Sequence, residues 1–140
     1  MRIMGIDYGD SRIGIAISDA LKLTAQGIET IKWNQGIKEP LKRISNLIVE
    51  YNIEKVIVGF PKNMNGTVGP RGEKTLEFIK NLEKRINGIE IVLWDERLTT
   101  VAANRTMREM GVKKTNKKKV VDQIAAVYIL QGYLDSQSNI

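Results

Sequence analysis

The sequence predicts an α/β fold whose sheet opens antiparallel and continues parallel. Two β-prone runs, residues 3–8 and 12–18, flank the turn formers Gly9, Asp10 and Ser11, the pattern of a hairpin. Two later runs, 55–60 (KVIVGF) and 89–94 (IEIVLW), are short and predominantly apolar, the form of strands buried on both faces. Around them, apolar residues recur at helical spacing, as crossover helices require.

Along the first strand, alternation puts Asp7 on one side with Ile3 and Gly5. The second strand turns Ile13, Ile15 and Ile17 to one side and Gly14, Ala16 and Ser18 to the other. One face is bulky and the other nearly bare, so a helix or a ligand can come close to the bare one. A buried carboxylate beside it must be paired, coordinated or protonated. The competing reading is that Asp7 caps the Gly9 turn. Residues 23–33 alternate around Ile28 and Ile31, which predicts a third strand in an antiparallel meander, ended by Gly36.

Residues 37–51 predict a helix facing the sheet with Leu41, Ile44, Leu47 and Ile48, and 55–60 a central strand parallel to the first. The Gly-, Pro- and Asn-rich stretch 61–72 then sits where open α/β sheets bind ligands. Lys62 and Arg71 are candidates there for phosphate contacts, helped by backbone N–H groups of the next helix. The alternative is a solvated connection. That helix spans 73–86, with Leu76, Ile79 and Leu82 inward and Gly88 as its stop.

The strand 89–94 runs directly into Asp95, Glu96 and Arg97. Neighbours on a strand point oppositely, so only one of the two acids shares the face of Asp7. Either could instead complement the N-terminus of a helix over 101–110, capped by Thr99 or Thr100 and closed by Gly111. Between Gly111 and Val120, Lys113, Lys114, Lys117, Lys118 and Lys119 crowd into one link. Their repulsion is relieved by a phosphate-bearing partner or simply by solvent, and no aromatic residue interleaves them for base stacking. A last helix over 120–134 has Val121, Ile124, Tyr128 and Leu130 among its apolar positions, and Asp122, Ala125 and Ala126 on one side. Small residues permit close approach to the bare face of the hairpin, which would carry Asp122 toward Asp7; alternatively, Asp122 only complements the helix dipole. Residues 136–140 are expected to fray.

Composition narrows the chemistry. The 140 residues suit a single domain over 1–140 and contain neither cysteine nor histidine. That excludes thiolate nucleophiles, Ser-His-Asp triads and Cys/His zinc sites. Lys and Arg number 22 against 16 Asp and Glu, and the resulting +6 favours an anionic partner such as nucleic acid. No apolar run reaches membrane-spanning length and no leader pattern precedes the first strand, so a cytoplasmic protein without membrane contact is expected.

Three acids are thus candidates to converge: Asp7, one of Asp95 and Glu96, and Asp122. In a chain without histidine they suit Mg²⁺ or Mn²⁺, which take oxygen ligands. Two such ions about 4 Å apart can activate a water and stabilise the leaving oxygen of a phosphodiester.

The segments GIDYGDSRIGIAISD, VGFPKNMNGTVGPR, WDERLTT and VDQIAAVYILQGYL, in this order across nearly the whole chain, resemble the YqgF/RuvX family of RNase H-like nucleases. That family is associated with pre-16S rRNA processing and Holliday junction resolution. The resemblance implies a five-stranded mixed sheet, its first three strands antiparallel, with helices on both faces. It also implies that Asp7, Glu96 and Asp122 bind the metal, with Glu96 ranked above Asp95, and that Arg12, Arg71 and Arg97 hold the substrate backbone. The expected activity is metal-dependent endonucleolytic cleavage of structured RNA or branched DNA. The hairpin is also the phosphate-binding turn of actin-like ATPases and sugar kinases, but those need a second lobe for which 140 residues leave no room. The other alternative is a non-catalytic nucleic-acid or ribosome-assembly factor acting on a pre-ribosomal particle. Junction resolution favours a homodimer, whereas processing one rRNA end needs only a monomer.

Overall fold

In the computed structural model, the described residues are 1–34, 36–63, 65–95 and 114–138, with backbone alone for 114–122 and 138. The hairpin forms as expected: β1 (Arg2–Tyr8) pairs antiparallel with β2 (Arg12–Ser18), Met4 opposite Ile17 and Asp7 opposite Gly14. β3 (Ala25–Lys32) continues the meander along β2. β4 (Ile53–Phe60) runs parallel to β1 on its other side, and β5 (Glu90–Asp95) runs parallel to β4. Among the described residues the sheet therefore has five strands in the order β3-β2-β1-β4-β5.

Among the described residues three helices cover it: α1 (Lys38–Glu50), α2 (Pro70–Arg85) and α3 (Lys114–Ser138). Alternation along each strand sorts the core into two layers. Met4, Ile6, Ile13, Ile15, Val56 and Val58 pack with Leu41, Ile44 and Leu47 of α1 and Phe78 and Leu82 of α2. On the opposite face Ile3, Ala16 and Ile57 meet Ala126, Ile129 and Leu130 of α3. Each fully buried aliphatic side chain contributes roughly 1.5–3 kcal/mol over its exposed state, so these layers supply the main driving force.

Several elements differ from their sequence-based expectation. α2 starts at Pro70 rather than at 73, because proline's fixed φ and missing N–H suit the first helical position. Its inner face is Gly72, Thr75, Phe78, Ile79 and Leu82, whereas Leu76, expected inward, is 43% exposed. β5 is not a fully buried strand: it ends the sheet, and Leu93 is 45% exposed. An apolar run does not distinguish a central strand from an edge strand covered on its faces.

The lysine-rich stretch also differs from expectation. Residues 114–120 belong to α3 and not to a link, because lysine is a good helix former and like-charge repulsion costs only tenths of a kcal/mol per pair, roughly. The same helix continues through Ser138 where fraying was expected. The expected helix over 101–110, with Thr99, Thr100 and Gly111 at its ends, lies outside the described residues.

Polar clamps tie the layers together. Arg43 on α1 donates through Nε and Nη2 to the two carboxylate oxygens of Glu29 on β3, at 2.9 and 2.6 Å. This fork holds the Glu29 carboxyl below its ordinary value. A depressed folded-state pKa adds stability that is present above the unfolded value and lost as pH falls through the folded one. Denaturant unfolding between pH 6 and 3 should therefore show wild type losing stability on acidification, and Glu29→Gln losing less. Identical pH slopes for the two proteins would show that the fork carries no such linkage.

Candidate functional site

β1 delivers Asp7, half-buried, at its C-terminal end on the face that α3 covers. The direction of α3 follows from its contacts. Gln123 Nε2 donates to Thr30 Oγ1 at 3.1 Å, and Thr30 stands opposite Gly14, which stands opposite Asp7. One turn further, Ala126 and Leu130 crowd Gly5: a Cβ there would lie 3.0 Å from the Ala126 carbonyl oxygen and 2.7 Å from Leu130 Cβ. Near the other end of the helix, Gln131 accepts from the Ala25 amide at 2.9 Å and donates to the Leu23 carbonyl at 2.9 Å. At that end, too, Lys55 Nζ donates to the Tyr133 hydroxyl at 2.7 Å.

The N-terminal half of α3 therefore points toward the Asp7 end of the sheet. From Ala126 back to residue 122 is about 6 Å of helix, and from Gly5 on to Asp7 is about 6.7 Å of strand, so the two backbones advance together. This is the approach that the bare face and the Asp122–Ala125–Ala126 spacing predict, although Ala126 takes the closest position and Ala125 is half-buried. The Asp122 side chain lies outside the described residues.

The choice between Asp95 and Glu96 is constrained by register. Asp95 stands opposite Phe60, whose ring lies 3.4 Å from the Cβ position of Gly72 on α2. Val92 and Trp94 pack into the α3 layer, and Ile91 into the other. Asp95 therefore occupies the face opposite Asp7. Glu96 lies outside the described residues, as do Arg97 and Lys113. Lys114, Lys117, Lys118 and Lys119 are placed by backbone in the first turns of α3, and their side chains are not described.

The remaining cations divide between the two faces. Arg12 shares the Asp7 face and stands opposite Lys32 on β3. With Ser11 and Asn34 they line a groove of about 330 Å³ at the hairpin tip. Lys32 was not singled out from sequence; only the register across the β2–β3 pair reveals it as the neighbour of Arg12. Arg71 is exposed in the first turn of α2, in the opposite layer, and Lys62 is exposed just past β4. The loop between them is more ordered than its composition suggests. Asn63 Nδ2 donates to Thr67 Oγ1 at 3.0 Å, the Asn63 amide donates to the Thr67 carbonyl at 2.9 Å, and the Thr67 hydroxyl donates to Asn65 Oδ1 at 2.7 Å.

Among the described residues no three carboxylates form a metal-sized cluster. Asp7 alone supplies a hard oxygen donor of the type that Mg²⁺ and Mn²⁺ prefer, on the face to which α3 brings residue 122. Of the candidate donor set the described residues thus supply one carboxylate, whose chemistry is that of a hard-ion ligand.

The architecture and the placement of Asp7 define a chain of the RNase H-like resolvase fold. Thermus thermophilus RuvC, solved in complex with a Holliday junction substrate, superposes with a TM-score of 0.62 at 15% identity, over 99% of this chain and 97% of that one. The Fowlpox virus resolvase, solved with Holliday junction DNA, gives 0.58 at 17% identity, over 98% and 99%. These likenesses concern the fold. The chain itself belongs to the RuvX family, described as Holliday junction resolvase, whose model matches residues 1–136. A protein of Acetivibrio thermocellus is 70% identical over 140 residues, covering 100% of this chain and 99% of its own. One of Bacillus subtilis is 55% identical over 137 residues, covering 97% and 99%. Both bear the name "Putative pre-16S rRNA nuclease". The chain is accordingly a member of a phosphodiester-hydrolysing enzyme family. Among the described residues no helix is long and apolar enough to cross a membrane.

Proposed function

We propose that this chain, as a single nuclease domain over 1–140, is a metal-dependent endonuclease of structured nucleic acid whose substrate is the 5′ end of pre-16S rRNA. In this reading Asp7, Glu96 and Asp122 hold Mg²⁺ or Mn²⁺. The observation that carries it is the register of α3 over β1, whose closest contact at Gly5 directs the turn containing residue 122 to the end where β1 carries Asp7. The names of its relatives at 70% and 55% identity support the rRNA substrate. Bound among these carboxylates, a divalent ion would supply Lewis-acid activation of water and charge stabilisation at the leaving oxygen.

The chain's own groups do the rest. Three carboxylates gathered at one spot repel one another and so favour a cation between them. Arg12 and Lys32 line a groove on the sheet face that carries Asp7, which suits the backbone of the strand being cut; Arg71 and Lys62 extend the positive field at the same end of the sheet, and Arg97 follows Glu96 in the chain as a further candidate cation. The lysines at 113, 114, 117, 118 and 119 precede Asp122 in the chain and add non-specific, salt-sensitive affinity for RNA. The work is placed in the cytoplasm, on a pre-ribosomal particle, and a monomer suffices for one RNA end. The family description supports a second reading, resolution of four-way DNA junctions, for which a homodimer presents two active sites.

Cleavage of a labelled pre-16S rRNA fragment and of a four-way DNA junction, assayed in parallel with Mg²⁺, Mn²⁺ or EDTA, separates these readings. We expect the RNA to be cut near the mature 5′ end in either metal and to stay intact in EDTA. Cutting of the junction alone would replace the rRNA assignment, and RNA binding without turnover in any metal would mark a non-catalytic assembly factor.

A further inference from the structure

On the far side of the hairpin tip from Asp7 lies a groove of about 510 Å³, within the roughly 300–1,000 Å³ range of small-molecule sites. Its floor is aromatic. Tyr8 stacks on Phe78 with ring centroids 4.5 Å apart and 20° between planes, and Trp33 tilts against Tyr8 at 5.9 Å and 36°. The Trp33 indole is held in place: its Nε1 donates to the Gly9 carbonyl at 3.2 Å, and its backbone amide donates to the Ser11 carbonyl at 3.0 Å. The walls are polar and mainly acidic. Asp10 and Glu77 stand close enough to Tyr8 that, together with burial, they raise its phenol above the ordinary value, burial contributing most. Lys74 reaches Asp10 at 3.6 Å, and among the described residues Glu77, which lines the groove with Asn81, takes part in no ion pair.

On a chain of net charge +6 this is a locally acidic spot, a poor place for a phosphate and a good one for hydrogen-bond donors. Trp33 also borders the neighbouring groove of Arg12 and Lys32, which has the opposite character. Lys32 and Trp33 are consecutive at the end of β3 and fall on opposite sides of the sheet, so the basic and the aromatic grooves meet around that edge.

We propose that these two grooves together hold one unpaired nucleotide of the bound strand: its phosphate on Arg12 and Lys32, its base against the half-buried rings of Tyr8 and Trp33, which the buried Phe78 backs from the core. The acceptors Glu77 and Asn81 select bases that carry an exocyclic amino group. This rests on the nucleic-acid reading above and adds a base preference to it. An aromatic face stacks on any base, so discrimination falls to the groove walls. Cytosine offers its N4 amino group to Glu77, as carboxylates accept from that group elsewhere, whereas uracil turns a carbonyl oxygen toward the same carboxylate.

The test is binding of fluorescently labelled ten-nucleotide RNAs of cytidine and of uridine by anisotropy, in EDTA and at one fixed salt concentration, so that metal and cleavage play no part. We expect the cytidine oligomer to bind on the order of 10-fold more tightly, with quenching of tryptophan emission, as the exchange of a charge-assisted hydrogen bond for a repulsive contact implies. Glu77→Gln should collapse the ratio toward 1 or invert it, since the amide donates to the uracil carbonyl. Asn81→Ala should reduce it. Both positions lie outside the buried core, so the variants should fold. Equal affinities in wild type, or a preference that survives Glu77→Gln, overturns the base pocket and leaves the nuclease reading standing. Failure of both oligomers to bind likewise overturns the base pocket, and the nuclease reading then stands or falls on the cleavage assay alone.

Discussion

Asp7→Asn is expected to reduce cleavage of the preferred substrate by about 10²-fold or more, with the fold intact. Losing merely a supporting contact to a metal ligand typically costs about 10–100-fold, so losing a ligating carboxylate should reach at least the upper end of that range. Asparagine keeps the shape and removes the charge, and Asp7 is only half-buried, at a strand end. The measurement is single-turnover cleavage at saturating Mg²⁺, beside thermal unfolding of the same preparation. A variant that melts like wild type and still cuts within a few-fold of it would remove Asp7 from the chemistry.

Gly5→Ala should be the most damaging single-methyl addition to the sheet. A Cβ at Gly5 would sit 2.7 Å from Leu130 Cβ and 3.0 Å from the Ala126 carbonyl oxygen, and the second of these is helix backbone that cannot rotate away. Restricting the unfolded chain returns about 0.4–1 kcal/mol, but overpacking of this kind costs about 1–3 kcal/mol. A net lowering of the melting temperature by several degrees is expected, roughly 2–8 °C per kcal/mol across domains of this size range. Activity should fall further than stability does, because the displaced helix is the one that carries residue 122 past Asp7. Gly5→Val, with two more methyls on the same contact, should enlarge both effects. Unchanged melting for Gly5→Ala would mean that α3 does not rest on β1 where the contacts put it.

The two variants probe different layers of information. Asp7 was legible as a candidate because strand alternation sets it on the face with Gly5, opposite a second strand whose small residues Gly14 and Ala16 leave that face bare. The helix that fills this space was legible in type, from Ala126 and its spacing, but its tethers were not. Gln123 and Gln131 stand eight residues apart, on one side of α3, and grip β3 at Thr30 and Ala25. Nothing in their local sequence separates them from solvent-facing glutamines. The apolar spacing that identified α1 was reliable because all four expected positions, Leu41, Ile44, Leu47 and Ile48, are buried. The same reasoning failed for Leu76, because Phe78 and Thr75 rotate the buried stripe of α2 away from it.

Composition and local pattern by themselves determined which side chains could act and which strand face each occupies: hard carboxylates and cations without histidine or cysteine, an opening hairpin, and alternating helices and strands. These depend on interactions within a few residues, which the order of the chain specifies directly. Tertiary structure alone decided that Asp95 faces away from Asp7, that β5 lies at the sheet edge, that Lys32 flanks Arg12, and that Tyr8, Trp33 and Phe78 share one groove. Each of these depends on the register between segments far apart in the chain. That register is set by how whole layers pack, and no local pattern encodes it.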